Sequence, residues 1–232
     1  NYLYETTCHK MYNGHQANVT FSVDTSSMNI VDKFTGVWNT SNGYVSHSFN
    51  QFIQVDNGTL LGVDHGEGYP TALVLSKYVS DISSGNFQSG IATPCKSLTF
   101  MSLVNDTSIH YNYTGASLGA FEYSDSAYLI AGTKDTDSTA TTRDVFITSM
   151  DKSSGETFTH FYSNYAGTDD SALTPHLVKT GNNSFILLWS NQGYVYYTAV
   201  DGTGQQVGTT HKMAGNLSDC APIVSNGKAI WY

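Results

Sequence analysis

The stretch "TPHLVKTGNNSFILLWSNQG", Thr174 to Gly193, decides how this chain is read. An apolar strand enters, the polar "TGNNS" reverses it, and a more hydrophobic strand returns toward Trp189, which is the pattern of a β-hairpin. The same pattern starts at His47 ("HSFNQFIQVDNGTLLGVDHG"), at Ala116 ("ASLGAFEYSDSAYLIAGTKD") and at Cys220 ("CAPIVSNGKAIWY"). Two further strand candidates follow each of the first three hairpins: "TALVLSKY" and "NFQSGIA", "DVFITSM" and "ETFTHFY", "YVYYTAV" and "QQVGTTHK". These segments are short, rich in β-branched and aromatic residues, and bounded by Gly, Asn, Asp or Ser. No window sustains the i, i+3, i+4 apolar spacing of a helix. Repetition of four consecutive antiparallel strands predicts an all-β chain folded as a β-propeller of about four blades with four strands each.

The last hairpin stops at Tyr232 without outer strands, whereas "ANVTFSV" and "NIVDKFTG" near the start have no inner hairpin before them. The expectation is one propeller domain over residues 1–232, closed by pairing of N- and C-terminal strands within one blade, which leaves no exposed sheet edge. The region of about residues 96–115 is expected as an inserted hairpin. The competing expectation is a slice of a larger ring or of a chain of modules, whose open edges would drive self-association.

Charged residues make up only 12% of the chain, and the formal net charge is −9 with ten Lys plus Arg, of which Arg143 is the one arginine. A nucleic-acid surface needs clustered cations to displace counterions, and none occur here. Anionic lipid surfaces are disfavoured for the same reason. The longest apolar run, Phe185 to Trp189, is far short of the roughly 20 residues of a membrane-spanning helix. The numbering opens on Asn1, which predicts a removed leader or an excerpt of a longer protein.

Seven N-x-S/T acceptors, Asn18, Asn39, Asn57, Asn105, Asn112, Asn182 and Asn216, predict N-glycosylation and an extracellular location, secreted or at a cell surface. Cys8, Cys95 and Cys220 are three cysteines without zinc-site spacing. In an oxidising compartment they predict one disulfide and one leftover thiol, with the pairing left open.

Four segments carry a resemblance: "HSFNQFI…DHGEGYP", "TGASLGAFEYSDSAYLIAG", "TPHLVK…FILLW" and "LSDCAPIVSNGKAIWY". The region from about Val45 to Tyr232 resembles the propeller-type repeat regions of large secreted and cell-surface microbial proteins. Glu67 and Gly68 stand where that group's first motif carries a different acid and an alanine. The resemblance implies a fold and assigns no activity.

Chemistry-bearing residues concentrate in "DHGEGYP", where Asp64, His65 and Glu67 lie beside two glycines, Tyr69 and Pro70. A His-x-Glu followed by Pro94-Cys95 invites comparison with zinc deaminases, but that site needs a cysteine at position 98, which is Leu. The stretch therefore reads first as a tight turn and second as a surface contact. Trp38 and Tyr44 are the other candidate exposed contacts, whereas Trp189 and Trp231 occupy equivalent hairpin positions and read as packing between blades. His47 and His176 are expected at the start of inner strands, hydrogen bonding near the axis.

Calcium is the one cofactor that the ligand types raise, through Asp56, Asp135, Asp137, Asp169, Asp170 and Asp201; no twelve-residue EF-hand loop is present, so these acids read as turn residues. Ser117 in "GASLG" matches a nucleophile-elbow pattern but precedes a strand rather than a helix. No catalytic, cofactor or metal site is assigned. The sequence reading favours a non-catalytic structural module that self-associates or meets a matrix or glycan partner. Its alternatives are a lectin-like propeller and a glycoside hydrolase-like enzyme using carboxylates at the channel mouth.

Overall fold

The structure, a computed structural model, describes residues 1–10, 16–35, 51–66, 72–78, 80–81, 83–87, 95–102, 116–135, 142–165, 172 and 175–232. Among these, every regular element is a strand and every pairing is antiparallel. The chain forms two compact units, Asn1–Thr114 and Gly115–Tyr232.

The first unit opens with a three-stranded sheet of β1 (Tyr2–Lys10), β2 (Gln16–Asp24) and β3 (Ile30–Thr35). A four-stranded sheet follows, ordered β4 (Gln51–Asp56), β5 (Thr59–Gly66), β6 (Ala72–Tyr78) and β9 (Cys95–Ser102). The short hairpin of β7 (Ser80–Asp81) and β8 (Asn86–Phe87) lies between β6 and β9 in the chain. Of the stretch of about residues 96–115 expected as an inserted hairpin, residues 103–115 lie outside the described residues, and residues up to 102 belong to the fourth strand, with Leu75 opposite Leu98 and Leu73 opposite Met101. The reason is length: the Asn86–Phe87 strand is two residues long, whereas "CKSLTFMS" spans the sheet.

The second unit has two four-stranded meanders. The first is β10 (Ala116–Tyr123), β11 (Ala127–Asp135), β12 (Arg143–Asp151) and β13 (Thr157–Phe161). The second is β14 (His176–Gly181), β15 (Ser184–Asn191), β16 (Tyr194–Asp201) and β17 (Gln206–Ala214). The last hairpin, β18 (Ile223–Ser225) with β19 (Lys228–Ile230), is a two-stranded sheet of its own. Among the described residues each sheet takes its strands from one unit, and the pairing of N- and C-terminal strands expected from the sequence is not among the ladders described. Strand β1 already pairs with β2 over its whole length, from Tyr2↔Asp24 to Lys10↔Gln16. Among the described residues the sheets hold three, four, four, four and two strands besides β7–β8, and three of them match the four-stranded blade expected from the sequence.

The hairpins follow from their turn residues. Asn57-Gly58 and Asn226-Gly227 both hold positive φ, 46° and 78°, and 50° and 70°, the geometry that matches the twist of the flanking strands. A second device sets the outer turns. Asp24 Oδ1 accepts from the backbone N–H of Ser26 (2.7 Å) and Ser27 (2.9 Å) and from the Ser26 hydroxyl (2.5 Å). Asp151 does the same with Ser153 and Ser154, and Asp201 with Thr203 and Gln205. One carboxylate thus replaces the missing ladder partners in β2–β3, β12–β13 and β16–β17.

The core of the second unit lies between its two four-stranded sheets: Ala120, Leu129 and Ile147 from one face Leu177, Leu187 and Trp189 from the other. Trp189 stacks on Tyr196 (5.5 Å, 12°), and its Nε1 donates to the Tyr165 hydroxyl at 3.2 Å. Asp144, buried, accepts from Ser163 Oγ (2.8 Å) and Tyr165 N (2.6 Å), which fixes the segment that carries Tyr165. The hairpin β18–β19 covers the opposite face of β14–β17, where Ala229 and Trp231 pack on Val178, Leu188 and Val195. The expected packing roles of Trp189 and Trp231 are met.

Candidate functional site

The β10–β11 turn end of the second unit gathers the most perturbed carboxyl of the described residues beside two lysines. Glu122 continues the face of β10 that carries Ala120 and lies opposite Leu129, which is fully buried. Burial there pushes its pKa up from 4.5 to about 7, with the Lys179 charge opposing the rise. Lys179 comes from β14; its Nζ donates to the Tyr123 carbonyl at 2.6 Å and lies 3.7 Å from the Tyr123 ring centroid. Lys152, from the β12–β13 turn, donates to the Ser124 carbonyl at 2.6 Å and lies 4.9 Å and 5.1 Å from the Tyr123 and Tyr128 centroids.

The turn that holds this end is itself fixed. Ser124 Oγ accepts from the N–H of Ser126 (3.2 Å) and Ala127 (2.8 Å). Asn183 on the β14–β15 turn donates to Asp125 Oδ2 (2.8 Å) and accepts from Asp125 N (3.2 Å). Two neighbouring strands and two turns therefore hold a carboxyl whose pKa burial raises to about 7 within the field of an ammonium. Such a group donates a proton, and the cation stabilises the carboxylate left behind.

Other acids are spent on structure. Hydroxyl and backbone donors, Ser26 first for Asp24 and Ser153 first for Asp151, hold both pKa values down at about 2. Asp201 is also lowered: burial works against it, but Gln205, Thr203 and the charge of His160 together outweigh that. This is the acid of "DGTG" that the sequence raised for calcium, and its Oδ1 is the acceptor of the turn. Asp56 is buried at the end of β4. The side chain of Asp135 and all of Asp137, Asp169 and Asp170 lie outside the described residues, among which no cluster of three metal-ligating side chains occurs.

Of the surface candidates, Asp64 and His65 are placed on β5 opposite Val74 and Leu73, with their side chains outside the described residues. Glu67, Tyr69, Trp38 and Tyr44 lie outside them altogether, as does His47. His176 opens β14, is buried, and pairs through Nε2 with the Ser218 carbonyl at 3.0 Å. Asn57 and Asn182 are exposed on hairpin turns and Asn216 is exposed after β17. Asn18 is on β2 with only its backbone described; Asn39, Asn105 and Asn112 lie outside. Cys220 is a free, exposed thiol beside the Tyr232 hydroxyl, whose pKa it raises through a hydrogen bond and its charge. Cys8, opposite Asn18, and Cys95, opposite Tyr78, are placed by backbone alone.

No protein-family model matches the chain, and no curated protein matches it in sequence. Among solved structures it is similar to the alpha-L-arabinanase of Penicillium chrysogenum in complex with arabinobiose. The TM-score is 0.52 at 12% sequence identity, over 94% of this chain and 69% of that one. At that identity the likeness speaks for the fold, an all-β arrangement of antiparallel sheets of the propeller type.

Proposed function

We propose that this chain is a carbohydrate-active propeller of the glycoside hydrolase type, with Glu122 as the proton donor. The observation that carries the reading is Glu122: a carboxyl raised to about 7 keeps a protonated fraction at neutral pH, which leaving-group protonation of a glycosidic oxygen requires. Likeness to an arabinanase supports a pentose-containing polysaccharide as substrate class. This shifts weight from the surface-presenting module favoured by the sequence to its hydrolase alternative. The fold alone does not choose a chemistry, so the weight rests on the carboxyl and its cation. The exposed acceptors Asn57, Asn182 and Asn216 support a glycosylated, extracellular protein.

The test is product release from arabinan and arabino-oligosaccharides, followed chromatographically. Glu122→Gln is expected to lower kcat by about 10²–10⁴-fold, and the wild-type rate to fall as pH rises above about 7. No release of sugar, or full activity in Glu122→Gln, overturns the reading. One observation favours glycan binding without turnover. Tyr197 stacks on His211 (5.4 Å) and lies 6.3 Å from the partly exposed Trp231, a set of rings suited to sugar faces. Binding of arabino-oligosaccharides lost in Trp231→Ala, with no release of sugar from any substrate, would select that reading.

A further inference from the structure

The second unit stacks its sheets, and its last two layers are unequal in width. Where the sheet β14–β17 covers β10–β13, its third strand does part of the covering. Val200 of β16 packs in the common core, a Cβ on Gly204 would lie 3.0 Å from Ile147 Cγ2, and the Tyr162 hydroxyl donates to the Gly204 carbonyl. The third strand beneath, β12, is buried along that face at Val145, Ile147 and Ser149. The next layer is the hairpin β18–β19, which sets two strands over four. Ala229 and Trp231 cover Val178, Leu188 and Val195. Beyond Val195 the same face of β16 emerges: Tyr197 is half-buried, and Ala199, opposite Ile186, is exposed. His211, stacked on Tyr197, and Met213, opposite Val195 and 47% exposed, continue the uncovered surface on β17.

The hairpin also leaves one of its own edges unused. Asn226-Gly227 is a two-residue turn, so the pair Ser225↔Lys228 that flanks it exchanges hydrogen bonds, as does Ile223↔Ile230 two residues on. The backbone N–H and C=O of Ala229, and of Trp231 just past the strand, therefore point away from β18. Among the described residues no strand pairs on that side of β19. On β15, which holds the same place in the sheet before, that side is taken by β16.

We infer that the β19 edge accepts an extended strand from a partner polypeptide, which pairs antiparallel with β19 and lies over Tyr197, Ala199 and His211. One occupant satisfies both observations: its backbone meets Ala229 and Trp231, and its inward side chains close the uncovered part of the face. That surface is continuous with the interface that Ala229 and Trp231 already make. The molecule also shows what such a strand carries. In the equivalent place, β16 turns Tyr196, Thr198 and Val200 toward the sheet beneath, opposite Trp189, Leu187 and Phe185 of β15. The partner strand is therefore one with aromatic or β-branched residues at alternate positions. Pairing also closes an open sheet edge, a site of unspecific association. A sugar stacked on the same rings would leave that edge bare, which separates this inference from glycan binding. It is independent of whether Glu122 is catalytic.

The probe is a synthetic peptide with the β16 sequence, "YVYYTAVD", carried on a lysine tail for solubility and titrated against the intact chain. Binding is expected in fluorescence anisotropy, together with slowed hydrogen exchange at the Ala229 and Trp231 amides. The same peptide, N-methylated at the residues that face β19, is expected not to bind. Ala229→Pro removes one outward donor without touching the bonds to β18, and is expected to weaken binding about tenfold. Should that variant fail to fold, Ala199→Asp, at an exposed position, is expected to weaken binding by a similar factor with unchanged circular dichroism. Unchanged exchange at the two amides, equal binding by the N-methylated peptide, full affinity in either variant, or amides already protected in the chain alone overturns the proposal.

Discussion

Lys179 and Tyr123 are joined twice, by a 2.6 Å hydrogen bond from the ammonium to the Tyr123 carbonyl and by that ammonium's position 3.7 Å from the ring centroid. The cation therefore belongs to the architecture of β10 as well as to the electrostatics of Glu122. Lys179→Gln is expected to raise the Glu122 pKa above its present value of about 7, because the opposing charge is gone. It is also expected to cost about 1–3 kcal/mol of stability. Carboxyl NMR titration and urea denaturation measure the two effects.

Glu122 ties stability to pH with a definite sign. Below the unfolded pKa of 4.5 both states hold the proton and its contribution is fully present. Between 4.5 and about 7 the unfolded chain loses the proton first, so stability falls as pH rises, by about 3 kcal/mol at most. Glu122→Gln, which mimics the neutral acid, is expected to flatten this limb and to exceed the wild type in denaturant midpoint at pH 8.

The turn acids act in the opposite sense. Asp24 and Asp151 are held at about 2 against an ordinary 3.8, so what they contribute is present above pH 3.8 and is lost as pH falls through about 2. Asp151→Ala is expected to lower the melting temperature at pH 7 and to make the remaining acid transition shallower. Thermal scans from pH 2 to pH 7 give both readouts.

Met28 occupies the left-handed region at φ 58°, donating its N–H to the Asp24 carbonyl at 2.8 Å. In the equivalent β12–β13 turn the same bond, to Asp151, is made by Gly155 at φ 76°. Met28→Gly is expected to stabilise the first unit by about 1 kcal/mol through relief of that backbone cost. A higher denaturant midpoint at unchanged slope is the signature.

Gly132 shows the reverse case. A Cβ on it would lie 2.5 Å from the Ser117 carbonyl and 2.8 Å from Phe146 Cζ, and the carbonyl belongs to a paired backbone. Gly132→Ala is expected to cost about 1–3 kcal/mol, measured by denaturation.

The inner hairpins were legible because Asn-Gly between apolar runs specifies its own backbone geometry, as at Asn57-Gly58 and Asn226-Gly227. The Asp turns are legible as letters, in "DTSS", "DKSS" and "DGTG"; the last raises calcium before it reads as a turn, since a carboxylate near hydroxyls serves either use. Glu122 gave no sign at all. Its raised pKa comes from burial, against the opposing charge of Lys179 on β14, and neither effect is visible from its neighbours in sequence.

The carboxylate turns also bear on how the chain folds. Each of the three closes a hairpin using atoms from five consecutive residues or fewer, so the outer half of a sheet can acquire its register before any distant segment arrives. Low sequence separation lowers the entropy lost in search, which favours rapid, sheet-by-sheet assembly over a concerted collapse. A lengthened connection between sheets should then leave folding rates nearly unchanged, whereas a broken Asp turn should slow the sheet that contains it.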